Sequence, residues 1–433
     1  AVKKVMSDLP AVDKAAALEQ SALVIGGGVA GMTTALSFAA RGHGVFLVEA
    51  TDKLGGRLNE GHYTLKGSSP RELAASLSGN IAGNPRIEVL MNSEVVDHWR
   101  EKGSYVTSVQ QGEETHLIRH GVMVVATGGR EAQVDEYLMG TDNRVITQTE
   151  LEERIALTPE SLARLRSVVM IQCVGSREHG KREYCSRVCC THALKNALKL
   201  KNANPDVRVT VLYRDMRSYG LYEDYYRLAR EAGVLFTPYN VEQKPIADAT
   251  GEKLRLAYYD RVLHEEIVLE PDLLVLSTGI EPTDNSRLAE ILNLPLDEYG
   301  FFQESNSKAA AVDFVGEGRY HCGLASAPLH IEESVIRAMA AASRGSAVLK
   351  RETIPAPKTA VLVNTRLCSG CGLCVESCPY NARELDPEDM IAHIHYDLCH
   401  GCGICSAVCP NGATEQVGFR KAQIMNMADE IMR

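Results

Sequence analysis

Continuous apolar runs broken by glycine turns, with helical spacing between them, set the frame of this chain. Residues 21 to 49 read as strand, turn, helix, strand: SALVI, GGGVAG, MTTALSFAARGH and GVFLVEA form one βαβ unit. VMVVATGGR, residues 122 to 130, is a buried strand running into a glycine turn, and LLVLSTGIEP, residues 273 to 282, repeats the design. Two such strand ends imply two related dinucleotide-binding domains, the second inserted into the first. The second starts with SVVMIQCVGS (167–176), continues through the helically spaced THALKNALKLK (191–201) and closes with VRVTVLYRD (207–215). A short strand, a small-residue loop and a helix follow in GRYHCGLASAPLHIEESVIRAMAAASR (318–344), and RETIPAPKTA (351–360) reads as a Pro-containing linker.

The expected fold class is therefore α/β. An N-terminal extension covers 1–20, a first nucleotide-binding domain takes 21–150 and 283–350, an inserted Rossmann-like domain takes 151–282, and an α+β domain takes 351–433.

Composition narrows the function. The 433 residues are 45% hydrophobic and 24% charged, enough for two or three domains with their own cores. A net charge of −10 without a basic stripe argues against nucleic acid as a partner. No apolar run approaches the roughly 20 residues of a membrane span, and residues 1 to 20 are unlike a secretory signal, so the expected compartment is the cytoplasm. Thirteen cysteines in such a chain point to metal or redox chemistry, because a reducing compartment does not sustain structural disulfides.

Gly26, Gly28 and Gly31 spell G-x-G-x-x-G, with Glu49 ending the next strand. Gly26 permits the tight turn, Gly28 lets backbone approach a pyrophosphate, Gly31 packs helix on strand, and Glu49 accepts from ribose hydroxyls. NAD or FAD suits this site. DKLGGRL favours FAD, since Gly55, Gly56 and Arg57 could hold the pyrophosphate from its other side, although alone it could be a solvated turn. The chain returns past the cofactor at Ala126, Thr127 and Gly128. Gly323, Leu324 and Ile331 would bring a helix N-terminus to the flavin pyrimidine, unless that helix is only packed, and Val95 completes the expected FAD contacts.

CSGCGLCVESCP and CHGCGICSAVCP both follow C-x2-C-x2-C-x3-C-P. In two-cluster ferredoxins the fourth cysteine of each run serves the other cluster. One 4Fe-4S cluster would use Cys368, Cys371, Cys374 and Cys409, the other Cys399, Cys402, Cys405 and Cys378. Zinc is the competing ligand, but it does not explain two runs ending in Cys-Pro.

Where the second domain should carry its phosphate turn stands CVGSREHGKREYCSRVCC. Cys173, Cys185, Cys189 and Cys190 give C-x11-C-x3-C-C, a spacing that a strand end and a helix N-terminus could gather around one cluster, with Arg182 and Arg187 adding cations. A redox disulfide, zinc and inert thiols compete with that reading. The loop lacks C-x2-C and C-x4-C pairs, and vicinal Cys189 and Cys190 would close a strained ring.

QCVGSRE, YCSRVCCTHALKNA, GLYEDYYRLAREAGV and GGGVAG together resemble the A subunit of heterodisulfide reductase and its iron-sulfur flavoprotein relatives, which include subunits of quinone-interacting oxidoreductases. The resemblance implies a thioredoxin-reductase-like fold with FAD, and a third 4Fe-4S cluster on Cys173, Cys185, Cys189 and Cys190 near the flavin. It also implies Lys195 as a catalytic lysine near flavin N5; a solvated helix lysine is the alternative. The longest relatives carry an N-terminal cluster domain and a ferredoxin insert, whereas residues 131–166 here hold no cysteine. Leu324 stands where relatives often have a cysteine or polar group, and Cys322 reads as a buried inert thiol.

The implied function is an electron-transfer subunit that splits or merges electron pairs at FAD, with flavin-based bifurcation as the family's property. Its expected partners are other subunits of a hetero-oligomeric complex and ferredoxin, with contact to a membrane only through those subunits. A non-bifurcating relay subunit of a quinone-interacting complex and a stand-alone NAD(P)H-dependent flavin oxidoreductase are the alternatives. The last requires a glycine phosphate loop in the second domain, which is missing.

Overall fold

The computed structural model describes residues 16–101, 104–162, 164–249, 253–351, 353–354, 361–396, 398–420, 423–425 and 428. Most of the expected N-terminal extension and of the Pro-containing linker thus lies outside the described residues.

Two five-stranded parallel sheets organise the chain. In the first, the strands run in the order Ile87–Leu90, Gly44–Val48, Ser21–Ile25, Val122–Val125 and Arg319–His321. In the second, the order is Val145–Thr147, Leu273–Leu276, Ser167–Ile171, Arg208–Tyr213 and Leu235–Pro238. Central strands covered on both faces cannot alternate, which is why ALVI, VMVV and LLVL are apolar and buried throughout. The chain leaves the first unit through Gly129–Glu131 and returns through Ile280–Pro282, and these two segments pair antiparallel. Three-stranded antiparallel meanders, at residues 93–120 and 246–269, flank the two sheets.

The first helix, Val29–Ala40, starts three residues before the apolar spacing suggested, so the second half of the glycine motif is helical. A Cβ on Gly31 would lie 1.7 Å from the Gly26 carbonyl oxygen, which makes glycine obligatory there. Likewise the helix read at 191–201 spans Cys189–Ala203 and takes Cys189 and Cys190 into its first turn.

The C-terminal module repeats one pattern twice. Short helices Leu373–Glu376 and Ile404–Val408 each follow a left-handed glycine, Gly372 and Gly403. Two antiparallel ribbons frame them, Val361–Val363 with Thr414–Gln416 and Arg383–Leu385 with Ala392–Ile394. Its small core is built around Val361, Cys374, Ala392 and Cys405. So little apolar burial suits a fold that relies on bound metal for stability.

Candidate functional site

A cavity of about 510 Å³ opens where the two nucleotide-binding units meet. Its floor is the first glycine turn. Gly26 sits at φ 109°, with the Ala126 carbonyl 2.3 Å from where a Cβ would be, whereas a Cβ on Gly28 would meet nothing within 4 Å. The open face of Gly28 is the cradle a pyrophosphate needs. The second glycine pair packs on the first, since a Cβ on Gly56 would lie 3.2 Å from the Gly28 Cα. Glu49 lines the cavity and also braces its wall, accepting from the Gly27 N–H at 2.6 Å and from the Thr51 N–H and hydroxyl at 2.8 Å.

Five buried polar atoms on the lining residues lack a hydrogen-bond partner: Arg57 Nη1, Gln148 Nε2, Ser277 Oγ, Thr278 Oγ1 and His330 Nε2. Buried groups left in this way ask for a ligand. The glycine cradle, the Arg57 guanidinium and these donors and acceptors fit a dinucleotide such as FAD.

Ala126, Thr127, Gly128, Gly323, Leu324 and Ile331 all line the cavity. Val95 does not. It packs with Leu23, Leu90 and Val109 inside the core, because its strand turns it toward the sheet. The Ile331–Leu349 helix begins at the cavity, but its first turn carries Glu332 and Glu333, and His330 and Glu333 form a capping box. Tyr222 and Lys66 engage Glu332, while Arg187 and Tyr219 engage Glu333. The positive helix end is thus partly offset before any ligand meets it.

Lys195 stands on the cavity wall, its side chain 15% exposed, and not in solvent. Its ammonium donates to Glu152 Oε2 at 2.6 Å and to the Tyr63 carbonyl at 2.8 Å. Glu152, 4% exposed, also receives His192 Nε2 at 2.8 Å and the His62 and Tyr63 backbone N–H groups. Burial favours a protonated Glu152, but the His192 hydrogen bond and the Lys195 charge outweigh it and hold the carboxyl well below its usual range. Burial and then the Lys195 charge push His192 down to about 4. Burial pushes the Lys195 ammonium down while the Glu152 carboxylate opposes that shift, and the triad is a lysine–carboxylate pair with an imidazole that donates to it. His192 and Lys195, three apart on the Cys189–Ala203 helix, project from the same side; nothing local in the sequence marks Glu152.

The cysteine loop leaves the second sheet with Cys173 at φ 61° and continues through Gly175 at φ 63° and Arg177 at φ 59°. Left-handed backbone at Cys173 is a strained geometry of the kind found at functional sites. Cys189 reaches the cavity wall. Burial pushes its thiol well up, and Cys190, Cys173 and Cys185 push it further, in that order, so all four thiols share one neighbourhood. Cys190 is likewise pushed up to about 12, by burial first and then by Cys173 and Cys185, with the Arg217 N–H opposing.

Backbone N–H groups reach two of these sulfurs, Arg187 to Cys185 at 3.3 Å and Arg217 to Cys190 at 3.4 Å. Arg177, not Arg182 or Arg187, brings a guanidinium to the loop sulfurs, with Nη1 at 3.8 Å from Cys173 Sγ. Arg187 is drawn off to Glu333. Arg182 turns to Glu281 and to the Gly175 and Thr278 carbonyls. A Cβ on Gly175 would lie 2.8 Å from Arg182 Nη2 and 3.2 Å from Val134, so the loop's own side chain covers the seat a phosphate would take. Asp215, the acidic residue after the Arg208–Tyr213 strand, is bound to Arg177 at 2.7 Å.

Among the described residues, the only three or more His, Cys, Asp or Glu ligand atoms within 4.8 Å of one another belong to Asp386, Asp389 and His393. Tetrahedral zinc would hold sulfurs about 3.8 Å apart. Neither the loop nor the C-terminal cysteines are drawn in to that single-ion spacing. In the C-terminal module the two runs match position by position. Cys374 and Cys405 are buried, Cys371 and Cys402 exposed. Cys378 and Cys409 accept from the N–H four residues on, Ala382 at 3.3 Å and Ala413 at 3.2 Å. Burial raises the Tyr380 hydroxyl, and Cys402 and then Cys378 raise it further, so cysteines of both runs act on this one group. Cys322 is fully buried against Thr34, and burial pushes its thiol up to about 12, an inert setting.

A family described as 4Fe-4S dicluster domain matches residues 367–413, and one described as pyridine nucleotide-disulphide oxidoreductase matches residues 20–171. The chain is 31% identical to the iron-sulfur A subunit of the CoB–CoM heterodisulfide reductase of Methanocaldococcus jannaschii, over 99% of this chain and 79% of that one. It is 28% identical to the A subunit of the ferredoxin:CoB-CoM heterodisulfide reductase of Methanosarcina acetivorans, over 94% and 66%. With the A subunit of the H(2)/formate:CoB-CoM heterodisulfide,ferredoxin reductase of Methanococcus maripaludis it shares 35% identity over 73% of this chain and 50% of that one. The chain therefore spans half to four fifths of these relatives' length. Among solved structures, the thioredoxin reductases of T. acidophilum (TM-score 0.52, 17% identity, 76% of this chain and 97% of that one) and Lactococcus lactis (0.51, 16%, 76% and 99%) share the fold of the two nucleotide-binding units.

Proposed function

Because the chain belongs to the A-subunit family of heterodisulfide reductases, we propose that it converts between paired and single electrons at the cavity and relays the single electrons through a cluster on Cys173, Cys185, Cys189 and Cys190 and two more in the C-terminal module. The chain is a flavin and iron-sulfur oxidoreductase.

Bound FAD would supply the exchange of two electrons for one, and 4Fe-4S clusters carry electrons singly. The residues of this chain do the rest. Gly28 and Arg57 would hold the pyrophosphate, and Glu49 the ribose end. Lys195 keeps a positive charge and a proton at the cavity wall, and Glu152 fixes the Nζ position. His192 and two backbone N–H groups hold Glu152 ionised, so the ammonium stays paired while charge at the cavity changes.

One observation carries this reading. Cys189 lines the cavity, and Cys190, Cys173 and Cys185 all act on its thiol from the loop that stands where a phosphate turn would be. The Arg182 side chain over Gly175 counts against nicotinamide nucleotide as the direct donor and favours protein partners. The family's double-acceptor chemistry extends the reading: the relative named as a heterodisulfide,ferredoxin reductase pairs two acceptors, and we assign this chain the same division of electrons within a multi-subunit complex. Cys189→Ala is the test. EPR of the reduced chain should lose one cluster signal while FAD content stays unchanged; an unaltered spectrum would remove the loop cluster.

A further inference from the structure

A second cavity, about 450 Å³, lies on the seam between the meander at residues 93–120 and the C-terminal module. Its composition is unlike the rest of this acidic chain. Trp99, Arg100, Asn293, Arg319, Tyr380 and His400 face it, together with two further imidazoles, and no Asp or Glu lines it among the described residues.

The aromatic groups are already arranged as stacking surfaces. Tyr380 and His400 lie 4.2 Å apart at 28°, Tyr105 stacks on His98 at 5.3 Å, and Trp99 remains 39% exposed. Arg319 Nε is buried without a hydrogen-bond partner while its Nη2 holds the Val315 carbonyl. The nearby carboxylate of Glu317 is taken by Arg351. Stacking faces beside forked cationic donors, in a volume typical of small-molecule sites, suit a ring that carries phosphate.

We propose that this seam is a binding site for a nucleotide-sized aromatic anion, with adenosine diphosphate as the simplest representative. Its position gives the site a consequence. His400 lies between Cys399 and Cys402, so a bound polyanion puts negative charge beside the cluster assigned to Cys399, Cys402, Cys405 and Cys378 and disfavours its reduction. Binding does not depend on the relay reading; this coupling rests on it.

Trp99 is the chain's single tryptophan, so its fluorescence reports this seam alone. ADP titrated anaerobically into the FAD- and cluster-loaded chain should change that signal saturably, with a calorimetric titration giving the same affinity. Arg319→Gln and the isosteric Asn293→Asp should each weaken binding about tenfold or more while FAD and iron contents hold. Asn293 ends the Ser286–Leu292 helix at φ 48°, a conformation aspartate also tolerates.

A flat Trp99 signal up to millimolar ADP, or equal affinity in both variants, overturns the site. Inorganic pyrophosphate binding as tightly as ADP overturns the aromatic half of the assignment. In an EPR redox titration, ADP should lower the midpoint of one C-terminal cluster and leave the other in place. Saturable binding with both midpoints unmoved overturns the coupling, and leaves the relay reading to the Cys189→Ala result.

Discussion

At the scale of single residues, the Glu152 carboxylate takes both the Lys195 ammonium and His192 Nε2 at the cavity wall. Lys195 came from a resemblance, and it lies on the cavity wall. Its partner Glu152 is 43 positions away, on the Gln148–Leu157 helix, which a capping box of Thr147 and Glu150 opens. Ion pairs between residues far apart in sequence leave no local pattern, so Glu152 and the Arg177–Asp215 pair were not legible. Val95 failed for a related reason: a strand residue's face is set by register, and register depends on the partner strands.

A buried imidazole gives a test at this scale. His120 is wholly buried, and burial first, then the neighbouring His98, pushes it down to about 3. Unfolded, it would titrate near 6.5. As pH falls below 6.5 the unfolded chain binds the proton and the folded chain does not, so stability present above that pH is lost. The loss reaches about 2 kcal/mol at pH 5. Thermal unfolding at pH 7 and pH 5 should show the drop, and His120→Gln, whose amide takes the place of Nε2 toward Thr107, should flatten the slope. An unchanged slope in that variant would assign the acid sensitivity elsewhere.

At the scale of elements, the apolar runs placed the six inner strands of the two sheets, because parallel strands covered on both faces must be apolar without interruption, whereas the edge strands Ile87–Leu90, Val145–Thr147 and Leu235–Pro238 carried no such run and were not read. Helix starts were read two or three residues late, at Met32 instead of Val29 and at Thr191 instead of Cys189. Both helices open with residues chosen for the turn and the site, glycines in one and cysteines in the other, and these interrupt the helical pattern. The cysteine loop was legible as an anomaly, but how it closes was not. Arg182 over Gly175 and Asp215 on Arg177 fill the positions where a nucleotide's phosphate and ribose would be met. NADH added to the isolated FAD-loaded chain should therefore leave the flavin absorbance unbleached on the timescale of turnover. Rapid bleaching would mean that the covered seat opens.

At the scale of the whole molecule, a nucleotide-binding fold of the thioredoxin-reductase kind joins a two-run cysteine module, and a third cysteine set reaches the nucleotide cavity through Cys189. The modular plan was legible because each part repeats a known spacing. The seam cavity was not, because it is assembled from the 93–101 strand, Asn293, Arg319 and residues 380–400, which meet only in the folded chain.

The central claim is that the loop thiols carry a cluster of their own. Iron and acid-labile sulfide measured on the anaerobically purified chain test it most directly. Three 4Fe-4S clusters require about twelve of each per chain. About eight of each, with both C-terminal cluster signals intact, would contradict the account.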